Sequence, residues 1–181
     1  MLERTRLNER GKLQIEPEAQ LLIYTVAFGE YESFATTYAY FALTHNPSAC
    51  VEIRVANVDD FCQRHGRAIE LLNQQFPKRL HVSEINNNEI PPGTLRWIIP
   101  PDSDRDFKYV YIGDVDILIV EDLLKIHLKH IHTHQCEFSN IVRPRTRGTR
   151  KPRLSGLHFT EYAKMWPSPD LTDLNLSTEN D

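Results

Sequence analysis

The sequence predicts an α/β fold, a mostly parallel central sheet with helices on both faces, built as a single compact domain. Three observations lead there. Short apolar runs bounded by turn residues recur along the chain, as buried strands do. Between them lie longer segments whose apolar residues return at helical spacing. The two kinds alternate, and strands joined through helices pack most simply as parallel neighbours. At 181 residues the chain is long enough for one substantial core.

A polar N-terminal arm runs to Gln20. Leu21 to Phe28 is apolar almost throughout and closes on Gly29, which reads as a fully buried first strand. Ser33 is placed to cap a helix in which Phe34, Tyr38, Phe41, Ala42 and His45 share a face, ending at Asn46-Pro47. Val51 to Val58 reads as the second strand. Asp59-Asp60 then opens a helix carrying Phe61, His65, Ile69, Leu72 and Phe76 on one side, closed by Pro77. Arg79 to Ile85 is a third strand candidate, Asn86-Asn87-Asn88 and Pro91-Pro92-Gly93 are loop sequences, and Leu95 to Ile99 suits a short helix or a strand. Tyr109 to Val120 reads as a further buried strand and Val120 to His132 as a helix. The boundaries so drawn are an arm at 1–20, a folded domain at 21–167 and a polar, acidic tail at 168–181.

A net charge of -4 with 40% hydrophobic and 25% charged residues is ordinary for a globular protein and implies no nucleic-acid partner. The charged start, Met1 to Arg6, lacks the apolar core of a signal peptide, and no stretch is long enough to cross a bilayer, so the expected location is the cytoplasm. Cys50, Cys62 and Cys136 are odd in number and widely spaced, which suggests reduced thiols rather than a disulfide framework or a thiolate zinc site.

The most informative segment is Tyr111-Ile112-Gly113-Asp114-Val115-Asp116-Ile117-Leu118. If it continues as a strand, alternation sends Asp114 and Asp116 to one face and Val115 to the other. Two carboxylates side by side among apolar neighbours need a cation or an exit into solvent. A hard divalent ion such as Mg²⁺ or Mn²⁺ takes one or two carboxylates together with substrate phosphates, and so fits the pair. The alternative is a strand end at which both acids meet water. Ligands of open α/β sheets bind outside the carboxyl ends of the strands, where Gly29, Asn57 and the Asp pair would gather.

The first strand followed by Tyr31, the helix ending at Asn46-Pro47, Arg96-Trp97, the Asp114-Val115-Asp116 segment and Leu154-Ser155-Gly156-Leu157 together resemble a GT-A-fold (Rossmann-like) glycosyltransferase. More narrowly they resemble the glycogenin-like and bacterial galactosyl- or glucosyltransferase group, over Leu21 to Phe159. The resemblance implies a metal-dependent transferase that moves a sugar from a nucleoside-diphosphate sugar, in the first instance a UDP-sugar, to a glycan or lipid-linked acceptor. Asp114 and Asp116 would hold Mn²⁺ or Mg²⁺, with His158 the nearest substitute for the group's downstream histidine ligand. Arg96 would neutralise phosphate. Phe28, Gly29, Tyr31 and Asn57 would meet base or ribose, Val115 would lie between the two acids against the nucleotide, and Ser139, Asn140, Ser155 and Gly156 would line the sugar pocket. The chain departs from the group's pattern at Phe138-Ser139-Asn140, where an acidic residue is usual, and in lacking the histidine far downstream. These departures leave open a degenerate transferase domain that only binds nucleotide or a partner. An aspartyl phosphatase is a third reading, weakened because Ile117-Leu118 stands where a Gly-Thr-type turn is expected.

Two other clusters stand out. His127, His130 and His134 share a helical face, with His132 nearby, which suits either a solvated helix surface or a zinc or nickel site. Arg143, Arg145, Arg147, Arg150, Lys151 and Arg153 form a basic loop that would attract phosphate, an acidic glycan or the anionic inner face of a membrane, or would simply be solvated.

Overall fold

The computed structural model describes residues 20–166 except 86–89, 104–105 and 144–152, together with two short strands of the arm, β1 (Arg6–Leu7) and β2 (Leu13–Gln14). The acidic tail, the Asn86-Asn87-Asn88 loop and most of the basic loop lie outside the described residues, as does most of the arm. From Gln20 onward the elements are β3 (Leu21–Ala27), a 3-10 turn (Gly29–Phe34), α1 (Ala35–His45), β4 (Ala49–Val55), α2 (Val58–Gln75), β5 (Leu80–Glu84), α3 (Pro92–Ile98), β6 (Tyr109–Ile112), α4 (Leu123–His134), β7 (Phe138–Arg143), β8 (Arg153–Glu161) and α5 (Tyr162–Met165).

Six of the strands form one sheet in the order β5-β4-β3-β6-β8-β7. The pairs β5-β4, β4-β3 and β3-β6 are parallel, whereas β8 runs antiparallel to both β6 and β7. The sheet is thus mostly parallel, as the alternation of runs and periodic segments implied. β3 lies at its centre, which is why all of its residues are buried. Leu21, Ile23 and Ala27 face one layer with Ala39, Ala42 and Leu43 of α1, Phe61 and Leu72 of α2 and Leu123 of α4. Leu22, Tyr24 and Val26 face the other, where Trp97 of α3 and Tyr162 and Met165 of α5 pack. Period-two alternation on a strand apolar on both sides produces this two-layered core.

Local boundaries follow side-chain hydrogen bonds. Ser33 does not cap α1: its Oγ donates to the Glu30 carbonyl at 2.6 Å inside the 3-10 turn, and the helix begins at Ala35 without a side-chain cap. The second strand stops at Val55 rather than Val58, because Asn57 accepts from the Asp60 amide at 2.8 Å and caps α2. Asp122 does the same for α4 through the Lys125 amide at 3.1 Å, so that helix starts at Leu123 rather than Val120. Buried Asn46 binds the end of α1 to the start of α4, donating to the Ala42 carbonyl at 2.9 Å and accepting from the Leu123 amide at 2.8 Å.

The largest correction concerns the Asp pair. The run Tyr109 to Val120 is not one strand; β6 ends at Ile112 and Asp114 to Ile117 form a turn, with the Ile117 amide donating to the Asp114 carbonyl at 3.3 Å. Strand alternation therefore does not orient the two carboxylates. In the turn Val115 is buried, Asp114 is half-buried and Asp116 is exposed.

Candidate functional site

The turn after β6 lies at the carboxyl edge of the parallel strands. Its position is fixed by β3, whose Tyr24 carbonyl accepts from the Gly113 amide at 3.3 Å and whose Thr25 hydroxyl donates to the Gly113 carbonyl at 2.9 Å. These bonds end the β6 ladder and turn the chain so that Asp114 leaves toward α3. There Arg96 meets it in an ion pair. Arg96 is 9% exposed, unusually buried for an arginine, and also donates to the Gly113 carbonyl at 3.4 Å. Its Nε is buried and has no hydrogen-bond partner among the described residues. Trp97 flanks the guanidinium, the Arg96 Cζ lying 5.8 Å from the indole ring centre.

Gly156 of β8 completes this corner. Ile112 pairs with His158, and continuing that antiparallel register by two residues brings Gly156 opposite Asp114. A Cβ there would meet Asp114 Oδ2 at 2.9 Å and Oδ1 at 3.0 Å and would collide with Arg96. The corner thus joins Arg96, Asp114 and Gly156, three residues that the sequence reading had assigned to one site. Asp116 lies two residues on in the same turn and is exposed.

His158, from the same face of β8, has its ring 5.7 Å from that of Trp97 and 5.1 Å from that of Phe138. Burial pushes its pKa down, so the imidazole is neutral near pH 7, the form in which it could bind a metal. Among the described residues, however, no group of three histidine, cysteine, aspartate or glutamate side chains is arranged to hold a metal ion. A cation at Asp114 and Asp116 would need other oxygen ligands to fill its shell, as Mg²⁺ and Mn²⁺ do with water and phosphate. One carboxylate held by a buried arginine, with a second one exposed two residues on, suits a divalent cation only when a polyanion brings the remaining oxygen ligands.

The remaining candidates spread along the same edge or leave it. Gly29, two residues after the end of β3, has a positive φ of 57°, which explains the glycine by backbone conformation; a Cβ there would meet open space. Tyr31 and Phe34 are exposed, with ring centres 6.3 Å apart, and Phe28 is half-buried against the α3-side core. Asn57 ends the β4 connection and spends its Oδ1 on the α2 cap. Asn140 pairs with His158 in the ladder. Ser139 is turned away: it is buried against α4, 2.8 Å from His127 Nδ1, and is not brought to the Asp114 corner. Ser155 is described only as backbone, within β8.

The histidine cluster separates in the same way. His127 is buried, stacked on Phe159 with ring centres 4.9 Å apart, whereas His130 and His134 pair on the exposed side, 4.6 Å apart. None of the three cysteines is in a disulfide among the described residues.

Two features escaped the sequence reading. Tyr38 and Tyr111, in the core beneath the turn, have pKa values raised by burial and, to a smaller extent, by the Asp114 charge, and the Tyr38 hydroxyl is buried without a hydrogen-bond partner among the described residues. Glu52, fully buried in β4, accepts from the backbone amides of Asp102 at 2.6 Å and Ser103 at 3.1 Å. It anchors the segment that leads from α3 to β6, and so from Arg96 to Asp114. A pocket of about 270 Å³ opens beside Glu52, lined by Cys50, Arg79, His81 and Ser103 among others. It lies toward the amino ends of the strands, away from the Asp114 corner, and its largest polar groups are already spent: Arg79 donates to the carbonyls of Ala49 and Asn46.

With the geometry in place, comparison with solved structures identifies the architecture. Residues 1–349 of Staphylococcus aureus TarS, a GT-A-type glycosyltransferase, match with a TM-score of 0.54 at 15% identity, over 80% of this chain and 47% of that one. The chain has a GT-A-type fold. The same TarS fragment in complex with UDP matches with a TM-score of 0.50 at 14% identity and the same coverage. This chain therefore spans about half the length of the structures it resembles. No protein family matches the sequence, and neither does any curated protein. The likeness reaches the fold; the narrower glycogenin-like grouping rests on the sequence pattern alone. No described helix is long and apolar enough to cross a membrane.

Proposed function

We propose that the chain is the nucleotide-binding part of a metal-dependent glycosyltransferase, taking a nucleoside-diphosphate sugar, with UDP-sugars the first candidates, and passing the sugar to a glycan or lipid-linked acceptor. The observation that carries this reading is the joining of Asp114, Arg96 and Gly156 at the carboxyl edge of a GT-A-type sheet. Ligands of open α/β sheets bind at that edge. The UDP complex of TarS, a protein of the same fold, supports the choice of nucleotide.

In this reading Asp114 and Asp116 hold Mn²⁺ or Mg²⁺, which supplies Lewis-acid stabilisation of the leaving diphosphate. Arg96 adds charge-assisted hydrogen bonds to the departing oxygens, from a position where burial strengthens them. The glycine at 156 leaves its carbon bare, so that no side chain crowds the carboxylate from behind. Tyr31, beyond Gly29, offers an exposed ring on which a base can stack. His158 stands within the same layer as a further candidate contact for cation or sugar.

The test is a thermal-unfolding screen of UDP, other nucleoside diphosphates and UDP-sugars, each with and without Mn²⁺. A ligand at 100 times its Kd stabilises the folded chain by about 2.7 kcal/mol. Stabilisation by UDP only in the presence of Mn²⁺, followed by slow release of UDP from a UDP-sugar, is the expected result. Stabilisation without any turnover would favour the degenerate, binding-only domain, and no stabilisation by any nucleotide would reject the reading.

A further inference from the structure

Arg96 and the cation of the proposed function make claims on the same carboxylate. Asp114 is paired with Arg96, whose guanidinium is almost enclosed by Trp97, the Gly113 carbonyl and the backbone of Gly156. Moving the Asp114 carboxylate onto a divalent cation takes away the counter-charge of a guanidinium that is 9% exposed. The Gly113 carbonyl, at 3.4 Å, is a weak replacement, and Nε has no partner among the described residues. A buried charge stripped of its partner is strongly disfavoured. A phosphate group arriving with the cation removes that penalty, because its oxygens can accept from Arg96 while the carboxylate turns to the metal.

We propose that Arg96 is a switch that exchanges the Asp114 carboxylate for the phosphates of a nucleoside diphosphate, so that cation and nucleotide load together and the cation alone binds poorly. The proposal rests on the nucleotide reading above and adds to it a gate against the free metal. Trp97 flanks the guanidinium, and Asp116, exposed two residues on in the same turn, is a second carboxylate for an incoming cation.

The coupling is read by calorimetric titration of the full chain with MnCl₂ alone, with UDP alone, and with MnCl₂ at saturating UDP. Because UDP binds Mn²⁺ by itself, the deciding variant is Arg96→Gln rather than the wild-type comparison. Freed of its competing guanidinium, Asp114 in R96Q is expected to bind Mn²⁺ alone about tenfold more tightly than in the wild type, whereas UDP binding weakens by a similar factor, in the usual range of site-to-site couplings. The exchange requires both changes together: deleting a positive charge that takes no part in nucleotide binding would tighten Mn²⁺ through lost repulsion but leave UDP affinity unchanged. Circular dichroism checks that R96Q is folded; should it not be, Arg96→Lys keeps the charge without the fork and is expected to tighten Mn²⁺ by a smaller factor of about three. Unchanged or weaker Mn²⁺ binding in the folded variant overturns the switch while leaving the nucleotide reading intact. Absence of UDP binding to the wild-type chain under every condition overturns the nucleotide reading itself.

Discussion

Gly156 lies directly behind the Asp114 carboxylate, near enough that a single added methyl group would meet both of its oxygens at about 3 Å, Oδ2 at 2.9 Å and Oδ1 at 3.0 Å, and would also collide with Arg96. An added Cβ on β8 at this point can be accommodated only if the ends of the Asp114 and Arg96 side chains move. Gly156→Ala is expected to displace the Arg96–Asp114 pair. Overpacking of this kind costs about 1–3 kcal/mol. Urea denaturation should register that loss, and calorimetry should find Mn²⁺-dependent UDP binding weakened by more than tenfold. The control is Gly66→Ala in α2, where an added Cβ meets nothing within 4 Å. Equal effects of the two substitutions on UDP binding would sink the assignment.

The two acids should differ in stability but agree in binding. Asp116 is exposed, so Asp116→Asn is expected to leave stability within about 0.5 kcal/mol of the wild type. Asp114→Asn leaves the Arg96 guanidinium with a neutral amide for a partner. Because the Asp114 side chain is 25% exposed and solvent shares in the pairing, the expected cost is about 1–2 kcal/mol, below that of a fully buried pair. Both variants should nonetheless lose Mn²⁺-dependent UDP binding, measured by calorimetry. Unchanged binding in either would remove that residue from the site.

What the sequence made legible and what it hid divide along physical lines. β3 was readable because a central parallel strand is apolar on both faces, and Leu21 to Ala27 is such a run. The turn at Asp114 was hidden because Ile117 to Val120 prolongs the apolar pattern beyond the end of β6; the bonds that end the strand come from Tyr24 and Thr25, nearly ninety residues earlier in the chain. Local pattern carries no trace of them. Arg96 and Asp114 were assigned to one site by resemblance, but their mutual pairing is a tertiary contact between α3 and the turn. Glu52 was missed although the signal was present: a lone carboxylate within Ala49-Cys50-Val51-Glu52-Ile53 is as costly to bury as the Asp pair, and the same reasoning applied there would have required a set of donors.

Those donors define the next expectation. Glu52 is fully buried, receives the amides of Asp102 and Ser103 and lies 3.6 Å from the Arg54 guanidinium. Glu52→Ala leaves two backbone amides and part of a charge without a partner, at a cost of about 2–5 kcal/mol. Glu52→Gln keeps one acceptor oxygen and should lose less. Since the 102–103 segment leads from α3 to β6, Glu52→Gln is also expected to weaken UDP binding without touching the ligand. Calorimetry on a folded Glu52→Gln variant with wild-type UDP affinity would show that the anchor does not set the position of Arg96.

The last expectation concerns pH. His127 is stacked on Phe159 and bonded to Ser139 in the core beneath α4, and burial, with smaller contributions from His130 and His158, lowers its pKa from 6.5 to about 4. The unfolded chain therefore binds a proton that the folded chain refuses between these two values. Stability is expected to be fully present above pH 6.5, to fall as the pH drops through the interval and to level off below about pH 4 as far as this residue is concerned. A shift of this size corresponds to about 3 kcal/mol, each pH unit being worth about 1.4 kcal/mol. His127→Gln keeps a partner for the Ser139 hydroxyl but cannot titrate in this range. Urea midpoints measured from pH 7.5 to pH 4 should decline steeply in the wild type and more gently in His127→Gln. Parallel curves for the two proteins would mean that another group governs the acid limb, since the imidazole would then be protonated as readily in the folded core as in water.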